Sequence, residues 1–143
     1  MFRGNALAKI DGKGRLKMPA VYRSALEDTD FYITSLRGES VRIYPMPAWR
    51  KIEDRLDNAS SFDPAVMRFR NFTSYFGQSA SMDAQGRVLL HPLVRERAAL
   101  DGEVAVLGQG DFLEVWNRAQ FERRLLDEPL TDAHLKDLAE LGI

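Results

Sequence analysis

Short apolar runs, broken at close intervals by glycine, proline and acidic residues, set the character of this chain. Ala6 to Ile10 and Arg15 to Met18 read as two brief strands around Asp11-Gly12-Lys13-Gly14, with Leu7, Ile10, Leu16 and Met18 as the expected buried face. Asp11 suits such a reversal because its carboxylate accepts backbone N–H groups, and glycine tolerates the positive φ of a tight turn. Pro19 stops the second strand and stands at the entrance of a short helix, Ala20 to Glu27, with Val21, Tyr22, Ala25 and Leu26 as its packing face. Phe31 to Leu36 and Val41 to Tyr44 predict a second hairpin about Gly38. Pro47 then opens a helix in which Trp49, Ile52 and Leu56 recur at i, i+3 and i+7, while Arg50, Lys51, Glu53 and Asp54 face water.

The same series returns. Asp83-Ala84-Gln85-Gly86-Arg87 repeats the frame of Asp11 to Arg15 at an offset of 72 residues (83 − 11), and the offset continues without a gap to Trp49 and Phe121. It pairs Leu16 with Val88, Met18 with Leu90, Arg23 with Arg95, Gly38 with Gly110, Ile43 with Val115 and Tyr44 with Trp116. A helix from Pro92 to Leu100, strands at Val104 to Leu107 and Phe112 to Trp116, and a helix capped by Asn117 with Phe121 and Leu125 on its buried stripe complete the second copy. Copies of about forty residues are too small to fold alone, so the two are expected to share one core.

Two segments lie outside the repeat. Asp63-Pro64 opens a helical connector carrying Val66, Met67, Phe69, Phe72, Tyr75 and Phe76, and a last helix from Asp132 to Leu141 shows an edge of Leu135, Leu138 and Leu141. Both are expected to pack on the core, with association between chains as the alternative. The resulting division is a first module at 5–57, a connector at 58–77, a second module at 78–126 and a C-terminal helix at 127–143.

Composition narrows the function. Apolar residues make up 45% and charged residues 29%, and no apolar run reaches the roughly 20 residues of a membrane helix, so a cytoplasmic protein without a membrane partner is expected. With no cysteine there is neither disulfide nor thiolate site. His91 and His134 stand apart from any Ser or Asp frame, and neither a phosphate loop nor a metal-ligand spacing occurs. Catalysis, a cofactor, a metal and a small-molecule substrate are therefore not expected.

Charge is the informative quantity. The net −1 divides into 13 Lys and Arg against 9 Asp and Glu in residues 1–72, and 7 against 12 in residues 73–143. The positive excess gathers at the first repeat, where Arg3, Lys9, Lys13, Arg15, Lys17 and Arg23 face Asp11 alone. Arg15 and Arg87 sit four residues beyond Asp11 and Asp83, within reach of a turn-bracing ion pair, and a guanidinium at a hairpin tip also suits phosphate or guanine. Lys9 and Lys17 share the strand parity of Arg15, with Lys13 in the turn, a spacing that could follow a duplex backbone. Their second-copy counterparts are Ser81, Leu89 and Gln85, so the first copy is expected to make most phosphate contacts and the second mainly that of Arg87.

With Met1-Phe2-Arg3-Gly4, the two Asp-x-x-Gly-Arg turns, Met18-Pro19 and Gly108-Gln109-Gly110-Asp111 through Glu114-Val115-Trp116 in view, the chain resembles the bacterial MraZ family over nearly its full length. The resemblance implies an α+β, mainly β fold: two tandem AbrB-like swapped-hairpin (double-psi-like) modules forming an intramolecular pseudo-dimer with peripheral helices. It also implies a nucleoid-associated transcriptional regulator, a repressor in this reading, acting on the promoter of the division and cell-wall gene cluster. Its partners would be double-stranded DNA and further copies of itself in a ring. The family's contact positions fall on Arg15, Arg87 and Lys13; Lys9, Lys17 and Arg3 complete the expected interface from charge alone. Ala84-Gln85 and the displaced proline of His91-Pro92 depart from the first copy's pattern and weaken the second turn. The different-class alternative is an interaction oligomer whose basic hairpin serves solubility.

Overall fold

The turns and prolines punctuate the chain as the sequence requires. A computed structural model describes all residues, Met1–Ile143. The first copy runs β1 (Asn5–Ile10), β2 (Arg15–Lys17), α1 (Ala20–Leu26), β3 (Phe31–Thr34), β4 (Val41–Pro45) and α2 (Met46–Asp57). After the connector helix α3 (Pro64–Tyr75) come β5 (Gln78–Ala80), β6 (Arg87–Leu89), α4 (Pro92–Arg97), β7 (Gly102–Gly108), β8 (Leu113–Asn117) and α5 (Arg118–Asp127), and α6 (Asp132–Glu140) follows. Proline stands in the first turn of α2, α3 and α4, where its missing N–H costs nothing.

The eight strands form one antiparallel sheet in the order β5-β3-β4-β8-β7-β1-β2-β6, and the copies are interleaved in it. β1 pairs with β7 of the second copy, and β5 of the second copy pairs with β3 of the first. β2 lies against β6 with Leu16 opposite Val88, and β4 against β8 with Arg42 opposite Glu114. Each of these opposed pairs joins residues 72 apart (88 − 16 and 114 − 42), so repeat counterparts face one another, the relation a two-fold axis imposes. The end strands β5 and β6 are joined by the Asp83–Arg87 turn, so the sheet curls back on itself.

One strand corrects the gapless repeat. Ala80 pairs with Phe31, yet its counterpart Ala8 pairs with Val104, so Val104 holds the place of Phe31 at an offset of 73 (104 − 31). The slip follows burial: Val104 and Val106 are fully buried like Phe31 and Ile33, and the 72-residue frame would put exposed Glu103 in the core. One residue is gained before β7 and one lost after it, and the frame is restored at β8.

The core lies inside the curled sheet, built from Leu16, Val88, Ile33, Val106, Ile43 and Val115, with Tyr22, Leu26 and Val94 from α1 and α4. Leu7 does not belong to it, being 55% exposed; a strand alternates faces, and Ile10, of opposite parity, takes the inward side with Ala6 and Ala8. Val21 is likewise exposed, because Tyr22 and Leu26 at i, i+4 already fill the buried stripe of α1.

The connector packs by one side only. Tyr32 and Thr34 both donate hydroxyl bonds to the Thr73 carbonyl, at 2.8 and 2.9 Å, Phe69 stacks on Trp49, and Phe76 enters the core. Phe62, Met67 and Tyr75 remain exposed. The expected packing of the last helix fails, α6 burying no residue and leaving Leu135 and Leu141 exposed, while on α5 Phe121 packs against Trp116 and Leu125 is exposed.

Leu16 is fully buried at the centre of the β2–β6 pair. Leu16→Ala is expected to cost roughly 2–5 kcal/mol of stability, read as a lower urea midpoint at unchanged slope.

Candidate nucleic-acid interface

Both repeat turns are built the same way. Asp11 Oδ1 accepts from the Lys13 and Arg15 amides at 2.9 and 3.0 Å, and its Oδ2 accepts from Arg15 Nε at 2.7 Å. Asp83 accepts from the Gln85 and Arg87 amides at 2.9 Å each and from Arg87 Nε at 2.9 Å. Gly14 and Gly86 stand at φ 83° and 75°, a left-handed conformation that favours glycine. These contacts stabilise the ionised carboxylate: the Arg15 amide, opposed by partial desolvation and helped by the Arg15 side chain and the Lys13 amide, holds Asp11 down at about 2. Asp83 is lowered for the same reasons, the Arg87 amide first.

The arginines therefore do brace their turns, but through Nε only. The terminal nitrogens of Arg15 make no hydrogen bond within the chain, and Arg87 commits one of its own, Nη2, to Gln85 Oε1 at 3.2 Å. Each side chain stays 30% exposed, with donors left for an external acceptor.

Strand pairing then sets the charge. On the outer face of the β2–β6 ribbon, Lys17 lies opposite Arg87 and Arg15 opposite Leu89. β1 joins β2 with Ile10 opposite Leu16, and one step along that register puts Lys9 opposite Lys17. Lys9, Lys17 and Arg87 thus form one row of cations across three adjacent strands, spanning about 10 Å at the usual strand spacing. Neither Lys9, Lys13 nor Lys17 has a carboxylate within 4.0 Å; Glu103, opposite Lys9 on β7, pairs instead with Arg118. The symmetry-equivalent row is Ser81, Leu89 and Arg15, with a single cation. Arg87, expected to act for the second copy, lies in the first copy's patch.

Lys13 projects from the exposed turn beside this row. Arg3 does not join it: Phe2 pairs with Gly110 across the opposite end of β1, which places Arg3 about 20 Å of strand from Lys9. Arg23 and Arg95 lie partly buried beneath the turns, a placement that sequence pairing did not give a role. The histidines act as caps: His91 Nδ1 accepts from the Leu93 amide at 3.3 Å, and His134 forms a reciprocal capping pair with Thr131. No three His, Cys, Asp or Glu side chains gather as a metal site, and no helix is long and apolar enough to cross a membrane.

The comparisons agree with this architecture. Residues 1–72 and 77–135 match in turn the family profile described as "MraZ protein, putative antitoxin-like". The chain belongs to the MraZ family of transcriptional regulators. It is similar to the protein named "Transcriptional regulator MraZ" of Acidobacterium capsulatum, 40% identical with both chains covered in full. The protein of the same name from Koribacter versatilis is 41% identical, again with both chains covered in full. That of Thiobacillus denitrificans is 38% identical over 87% of this chain and 86% of its own. The twofold match of the MraZ profile falls on the two interleaved copies, so the family's repeat is the unit that supplies each turn.

A carboxylate depressed to about 2 when folded, against 3.8 when free, supports the turn fully above pH 3.8 and loses that support as pH falls through 2. A carbon-13 titration of the Asp11 carboxyl is expected to show a midpoint near 2, and a midpoint near 3.8 would remove the brace.

Proposed function

We propose that this chain is a sequence-specific DNA-binding repressor of transcription, without enzymatic activity, that reads repeated short boxes in the promoter of the division and cell-wall gene cluster. The observation that carries the reading is the row Lys9, Lys17 and Arg87. Like charges directly opposite on a sheet oppose folding; Arg87 is offset by Asp83, but Lys9 and Lys17 have no carboxylate within 4.0 Å, and an anion outside the chain would offset them. A two-stranded ribbon fits the major groove of duplex DNA, where lysines neutralise phosphates and an arginine fork reads O6 and N7 of guanine. In this reading Lys9, Lys13 and Lys17 position the ribbon on the backbone, and Arg15 and Arg87 supply base or phosphate contacts through nitrogens left free by their aspartates.

The working units are the modules 5–57 and 78–126, coupled as one pseudo-dimer, with 58–77 and 127–143 outside them. Association into a ring would let several such faces engage successive boxes, so that individually weak contacts add. Phe62, Tyr75, Leu126 and Leu141, each at least 66% exposed, supply apolar surface for it. Such an assembly belongs in the cytoplasm, on the nucleoid. The family name shared by the relatives supports regulation of transcription as the class.

In a salt titration with promoter-repeat duplex, Lys17→Ala is expected to weaken binding and to flatten the slope of log K against log salt by about one unit. Arg3→Ala, remote from the row, is expected to leave the slope alone. An Arg15→Ala protein that folds, assembles and binds as the unaltered chain does would exclude a contact role for that arginine.

A further inference from the structure

The side chains beneath the two turns come from the wrong copies. Arg23 and Arg95 are counterparts in the repeat (95 − 23 = 72), and each reaches the turn of the other copy. A Cβ added to Gly14 would fall on Nη1 and Cζ of Arg95. One added to Gly86 would lie 2.7 Å from Nε and 2.9 Å from Cζ of Arg23. The backbone crosses in the same sense: the Leu90 amide donates to the Gly14 carbonyl at 3.0 Å, and the Met18 amide to the Gly86 carbonyl at 2.9 Å.

Neither guanidinium has an anionic partner within 4.0 Å. Arg23 Nη2 donates to the Met18 carbonyl at 3.0 Å, while its Nε is buried with no acceptor. Plain packing would be met more cheaply by an apolar side chain of the same length, since burying an unpaired charge opposes folding. What arginine adds is a rigid plane against the glycine and a positive charge behind the turn that carries Lys13.

We propose that the two turns are shaped crosswise: Arg95 is the positioning residue for Lys13 and Arg15, and Arg23 for Gln85 and Arg87. The consequence for DNA rests on the interface proposed above; the crossed shaping does not. Arg23 belongs to the basic first copy yet serves the weaker turn, whereas Arg95, from the acidic half of the chain, serves the stronger one. The ranking of variants is therefore opposite to the one that charge along the chain suggests.

Arg95→Lys and Arg23→Lys in the full chain separate the alternatives, because lysine keeps the charge and loses the plane. In hydrogen exchange of the DNA-free protein, Arg95→Lys is expected to speed exchange severalfold in a peptide covering 9–17 and to leave 81–89 unchanged. Arg23→Lys is expected to do the reverse. Loosening of the variant's own-copy turn, or of neither turn, overturns the proposal. With promoter-repeat duplex, Arg95→Lys should lower affinity about tenfold at an unchanged salt slope and Arg23→Lys by less; the opposite ranking overturns the link to DNA. Arg95→Met, which also removes the charge, should flatten the slope as well, and it serves for the exchange measurement if Arg95→Lys is misfolded by circular dichroism. Failure of the unaltered chain to bind the duplex would overturn the DNA reading, and the exchange data would still decide the crossed shaping.

Discussion

The pairing of two three-residue strands, β2 and β6, is the contact on which the rest depends. Its ladder is closed at each end by the other copy's turn, Gly14 accepting from Leu90 and Gly86 from Met18, and its centre is sealed by Leu16 against Val88. Without it, β2 would keep only its short junction with β1, and neither copy would have a partner for its Asp-x-x-Gly-Arg turn. Because the strands meet as counterparts, whatever one copy places on the outer face is set beside the other's equivalent. A duplicated sequence thereby becomes a single surface rather than two separate ones.

That surface opposes the stability of the sheet that carries it. Lys9 and Lys17 repel across adjacent strands, Arg87 beside them being held by Asp83, and Glu103, opposite Lys9 on β7, is engaged with Arg118. The cost is contained locally. Each turn aspartate gathers two amides and an arginine Nε, which fixes the backbone while leaving both outer guanidinium nitrogens of Arg15, and one of Arg87, free. One interaction thus holds the turn and aims the side chain, so bracing and contact, rivals as explanations of Arg15 and Arg87, are compatible in a single geometry.

Much of this was legible in the chain. Turn residues report their own backbone, so Asp11 to Arg15, its repeat, Pro19 and the cap at Asp63 are legible from neighbours alone. Strand partners are chosen by distant residues, and nothing near Lys17 in sequence announces Arg87 across from it. The one-residue slip at β7 leaves a trace in the chain, since the 72-residue frame sets Glu103 against Phe31, and burial of Val104 and Val106 resolves the mismatch. Leu7 is apolar but falls on the outward parity of the alternation that Ile10 fixes. The exposed leucines of α6 show the remaining limit, since an amphipathic pattern announces that a helix wants a partner and not where the partner is.

The interleaving also has a consequence in time. β1 is synthesised well before its partner β7, since Asn5 pairs with Leu107, 102 residues later (107 − 5). At roughly 5–20 residues per second of translation, the nascent chain carries that strand for about 5–20 s before its partner exists. During that interval the outward side of β1 carries Lys9 as its one charge, and a lysine on a strand whose β7-side edge is still open disfavours joining a neighbouring nascent chain. The residue at one end of the cationic row also guards the growing polypeptide.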